Sequence, residues 1–91
     1  MTTEPLATAA RSLREASDAA DDDEVTERLA SQADQFERHA DAESGPDHGQ
    51  LARHEHILSS ISDDEGDTAV AEHIGEALAA VRSYRETVEG V

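Results

Sequence analysis

Four stretches of this chain carry their apolar residues at alternating spacings of three and four, punctuated by acidic and Gly-Pro breaks. Such spacing returns side chains to one face of an α-helix, whereas a half-buried strand needs strict alternation. The pattern predicts an all-α fold. In the first stretch Leu6, Ala9, Leu13, Ala16 and Ala20 form one stripe, with Pro5 in the first turn and Thr3 at the cap position. Proline costs nothing there because the first helical N–H groups have no intrahelical partner. A helix over 4–20 follows. Asp21-Asp22-Asp23 then interrupts the pattern and supplies a carboxylate for a new helix N-terminus. The second helix is expected over 24–42, burying Val25, Leu29, Gln32 or Ala33, Phe36 and Ala40.

Ser44-Gly45-Pro46 is the clearest break, and it leads into Asp47 with Gln50 three residues later. That spacing is a capping box, in which each side chain satisfies the other residue's backbone N–H. The third helix should run from just after Asp47 to about residue 62, with Leu51, His54, Leu58 and Ile61 inward and Ile57 at the border. The run from Ser62 to Asp67 reads as the next turn. The fourth helix, over 68–89, places Val70, Ile74, Ala77, Val81, Tyr84 or Arg85, and Val88 on one stripe and stops at Gly90. Gly75 lies off that stripe and suggests a second, close helix contact. Four helices with short connections give either an up-down bundle or two helical hairpins that pair with a second chain.

The chain has 91 residues, the size of one domain, yet Leu, Ile, Val and Phe supply only 15 of them against sixteen alanines. A core this thin leads to the expectation of a homo-oligomer or a protein partner, with the stripes of the first and last helices as the self-associating faces. Acidic residues number 22 and basic ones seven, all arginine, for a formal net charge of -15. Disorder and adaptation to molar salt both produce such a composition. The helical spacing favours a folded chain whose self-repulsion is screened in a salt-saturated cytoplasm. The same charge opposes nucleic acid and anionic membranes, so neither is an expected partner. A cytoplasmic location is expected, since the N-terminus carries no basic, apolar leader and no apolar run approaches a membrane span.

Cysteine is absent, which removes disulfides and thiolate chemistry. Five histidines raise the question of a metal. His54 and His56 point to opposite sides of a helix, and no Glu-x-x-His or His-Glu-x-x-His spacing occurs. No metal and no cofactor are therefore expected. An enzyme is not expected either, for want of a nucleophile motif or phosphate loop. A protein-interaction or self-associating module is the first reading of function; a small ligand- or metal-binding bundle using a histidine cluster is the second.

Two segments, Gly45-Pro46-Asp47-His48-Gly49-Gln50-Leu51-Ala52-Arg53-His54-Glu55 and Tyr84-Arg85-Glu86-Thr87-Val88-Glu89-Gly90-Val91, resemble a haloarchaeal family of short acidic helical proteins of unknown function. The resemblance implies a halophilic archaeal origin and a helical fold and carries no catalytic residue with it. In an up-down bundle the end that holds the Gly45 to Gly49 turn also gathers the end of the second helix and the last turns of the fourth. Asp47, His48, His54, Tyr84 and Arg85 are accordingly the candidate binding residues, with Phe36 and His39 beside them. The plainer alternative is that Asp47 caps, Phe36 and His54 fill the core, and Tyr84 seals the end.

Overall fold

A computed structural model describes residues 3–42, 47–66 and 68–89, in four helices: α1 (Glu4–Ala19), α2 (Asp23–Asp41), α3 (His48–Glu65) and α4 (Ala69–Glu89). No strand occurs among the described residues. α1 packs against both α2 and α4, and α3 packs against α4. The links between helices run antiparallel: Thr3 N–H donates to the Ala40 carbonyl at 2.9 Å and Ser17 Oγ to the Thr26 carbonyl at 3.0 Å, tying opposite ends of α1 and α2. The chain thus closes on itself as an up-down bundle. The stripes of the first and last helices face each other inside it.

Leu6, Leu13, Leu29, Phe36, Leu51, Leu58, Ile61, Ile74 and Val81 are fully buried, with Ala9, Ala16, Ala33 and Ala77 between them. Interaxial distance depends on the side chains at the contact, so alanine lets α1 lie close to both neighbours. The backbones of α2 and α3 approach far less, and longer side chains span the gap between them. A groove results along that seam.

Helix ends show how local chemistry sets the boundaries. Asp22 caps α2 by accepting from Glu24 N–H at 2.9 Å and Val25 N–H at 3.2 Å. The Asp47–Gln50 capping box is formed, with Gln50 N–H donating to Asp47 Oδ1 at 2.8 Å and Asp47 N–H to Gln50 Oε1 at 3.1 Å. A cap of this kind contributes about 1 kcal/mol. Thr3, expected as a cap, makes no side-chain cap bond; its backbone holds α2 instead. The expected turn over 62–67 begins later, because α3 continues to Glu65 and ends where Gly66 takes φ 66°. Asp63 and Asp64 in its last turn are exposed, so water solvates them without breaking the helix. Glycine alone adopts that left-handed backbone at no steric cost. Thr68 Oγ1 then accepts from Ala71 N–H at 3.3 Å to open α4. Gly75 is exposed and a Cβ added there meets nothing within 4 Å, so it marks no close helix contact. The Gly45-Pro46 turn, the Gly90 stop and the side chain of Val88 lie outside the described residues. Among the described residues no helix is long and apolar enough to cross a membrane.

Candidate functional site

The chain contains two Arg-His dipeptides, Arg38-His39 near the end of α2 and Arg53-His54 in the first half of α3. Because α2 and α3 run antiparallel, the two dipeptides meet across the groove. Its cavity, of about 320 Å³, is lined by Gln32, Gln35, Arg38, His39, Gln50, Arg53, His54 and Ile57. None of these is acidic, in a chain with 22 carboxylate side chains. Among the described residues neither Arg38 nor Arg53 has an ion-pair partner. Farther along the same seam the lining changes sign, with Glu24 and Glu27 beside Arg28. The depression between α1 and α2 holds Arg11 and Arg14 together with Glu37 and Asp41, and there Arg14 Nη2 is neutralised by Asp34 at 2.8 Å and Glu37 at 2.7 Å.

The floor of the groove is a buried polar contact. His54 is 5% exposed and Gln32 6%, and His54 Nδ1–H donates to Gln32 Oε1 at 2.6 Å. Burial of two polar groups is tolerable because each satisfies the other. Beneath them the Phe36 ring lies 4.6 Å from the His54 ring, centroid to centroid, and His39 stands edge-on to His54 at 5.4 Å. The Nε2 atoms of His39 and His54 are 3.4 Å apart.

Both rings are biased toward the neutral form. Burial pushes His39 below the ordinary histidine value; burial does the same to His54, helped by the neighbouring His39 and Arg53. An unfolded chain binds protons at these sites more readily than the folded one, so their contribution to stability is complete above the ordinary value of about 6.5. It is lost progressively as pH falls below that. In constant high salt the melting temperature should therefore decline between about pH 7 and pH 5, before the carboxylates titrate. Replacement of His39 by Gln should flatten part of that slope, and a melting temperature constant across the window would contradict the neutral pair.

The sequence-predicted residues divide between two seams. His54 lies in the groove, next to Phe36 and His39 as expected. Asp47 is occupied as a cap at the mouth of α3, and His48 is exposed in its first turn. Tyr84 is half-buried against the core. Arg85 belongs to the α3–α4 seam, where its Nη1 donates to Glu55 Oε2 at 2.9 Å, while the buried Glu55 Oε1 has no partner among the described residues. His73 turns to the surface between Glu76, at 3.0 Å, and Glu15, at 3.4 Å. Sequence reasoning passed over Arg38, Arg53, Gln35 and Gln50. The repeated Arg-His dipeptide was the available signal.

The described residues form a small helical bundle with a polar groove that none of their carboxylates lines. A family model described as a family of unknown function (DUF7553) matches residues 1–87, and the chain belongs to that family. No curated protein and no solved structure matches it. Among the described residues no group of three or more histidine or carboxylate side chains converges as a metal site would require.

Proposed function

We propose that this protein is a small-ligand-binding helical bundle of a salt-rich cytoplasm, and that the α2–α3 groove takes an anionic group. The observation that carries the proposal is the lining: among the described residues it holds two guanidiniums without ion-pair partners, two histidines and three glutamines, with no carboxylate, in a chain whose net charge is -15. Guanidinium groups recognise oxyanions through paired, charge-assisted hydrogen bonds. The glutamine amides offer further donors. A cavity of about 320 Å³ suits an inorganic anion or a short organic one, since small-molecule sites span roughly 300–1,000 Å³.

A simpler account makes Arg38 and His39 partners of the negative C-terminal end of α2. It does not cover Arg53, which lies toward the opposite end of α3 and faces the same groove. Self-association draws less support, since Leu6, Leu13, Ile74 and Val81 are spent on packing within one chain.

The test is sulfate binding by the wild-type chain and by Arg38→Gln, Arg53→Gln and the double variant, followed by NMR in constant high KCl. Hydrogen bonds to charged groups are worth about 1.5–3 kcal/mol, so each single variant should weaken binding about tenfold or more. Arg82→Gln, at an exposed arginine on α4, serves as the control and should bind as the wild type does. A double variant that binds like the wild type would remove the groove from consideration.

A further inference from the structure

The two imidazoles at the floor of the groove have one arrangement that keeps all their contacts. His54 Nδ1–H donates to Gln32 Oε1, so the lone pair of His54 is on Nε2 and His39 Nε2–H is the donor in the 3.4 Å contact between the rings. That leaves His39 Nδ1 as the ring nitrogen of the pair that carries no proton and, among the described residues, has no hydrogen-bond partner. A proton added at Nδ1 disturbs nothing and turns the contact between the rings into a charge-assisted bond. A proton added at His54 Nε2 would instead set two N–H groups against each other. The pair has room for one proton, at one atom.

The charged groups around the pair come from all four helices. α3 supplies Arg53, and α2 itself supplies Arg38. α1 brings Arg11 and Arg14, which with Glu37 and Asp41 occupy the separate depression on the other flank of α2. At this end of the bundle α4 contributes Arg85, held by Glu55, with Glu86 and the Tyr84 phenol. Among the described residues nothing acidic lines the groove to favour a charged imidazole. An anion held there reverses that balance, because a negative charge close to a histidine favours its protonated form.

We propose that a doubly charged oxyanion, of the sulfate or phosphate-ester type, binds the α2–α3 groove together with one proton taken from solvent at His39 Nδ1. This rests on the groove being an anion site and adds to it the ligand class and a pH dependence. Binding tightens as the solution becomes more acidic. A singly charged anion with less need of the proton shows a weaker effect.

Sulfate is the probe, since its charge is constant from mildly acidic to mildly alkaline pH. Its dissociation constant for the wild-type chain is measured by NMR at a series of pH values in constant KCl, while the ring signals of His39 report its titration with and without sulfate. The expected result is an affinity that rises as pH falls, by up to about tenfold per pH unit where one proton is fully linked, and a His39 titration displaced upward by sulfate. His39→Gln should bind sulfate with a flat pH profile. If that variant fails to fold, the His39 signals of the wild-type chain decide the matter. Sulfate binding that depends on Arg38 and Arg53 but not on pH would overturn the proton step alone. Absence of sulfate binding at every pH would overturn both the proton step and the anion site.

Discussion

The helicity of the wild-type chain should rise several-fold, and its melting become cooperative, between dilute buffer and several molar KCl. The net charge is -15, and the described carboxylates with an arginine partner are few: Asp34 and Glu37 share Arg14, and Glu55 holds Arg85. Most of the remaining acidic side chains lie on the exposed faces of the four helices with like-charged neighbours. In dilute buffer their repulsion acts over tens of ångströms, whereas at 1 M salt the screening length is about 3 Å. Against that repulsion stands a core of nine fully buried large side chains and intervening alanines. A thin core loses the contest in dilute buffer and wins it in molar salt, where salting-out ions strengthen burial as well. Circular dichroism across a KCl series reads the effect. Equal, fully cooperative melting in dilute buffer would show that the core outweighs the charge unaided.

Replacement of Phe36 by Ala should remove about 3–5 kcal/mol of stability. A domain of this kind commands only about 5–15 kcal/mol in all. Phe36 is the largest fully buried side chain, and its ring also backs His54 at 4.6 Å, so truncation opens a cavity under the floor of the groove. Phe36→Leu keeps most of the volume and should cost less than half as much. Denaturant melts of both variants in high KCl separate the cases. A loss below about 1 kcal/mol for Phe36→Ala would mean that the bundle collapses readily around the site.

The helical stripes were legible because burial has a period, and every one of Leu6, Leu13, Leu29, Phe36, Leu51, Leu58, Ile74 and Val81 went where spacing placed it. Spacing could not say whether those stripes close within one chain, which depends on how α1 lies against α4. The end of α3 was placed too early because Asp63 and Asp64 resemble a turn in composition, although exposed acids are compatible with a solvated helical turn. Gly66 held the real stop, since only its backbone required φ 66°. For the site, His54 was legible from its inward position. Arg38, Arg53 and Gln50 were not, because they are exposed residues on polar faces and acquire meaning only from the register of α2 against α3. Spacing put Arg85 at one end of the bundle without choosing a seam, and Glu55 holds it between α3 and α4.

Whether the α2–α3 groove of this acidic bundle is an anion site is decided by a residue-by-residue map of chemical-shift changes as sulfate is added to the wild-type chain in constant KCl. The predicted result is a saturable response confined to Gln32, Gln35, Arg38 and His39 on α2 and to Gln50, Arg53, His54 and Ile57 on α3. Shifts that grow linearly without saturating, or that centre on Arg11 and Arg14 between α1 and α2, would contradict it.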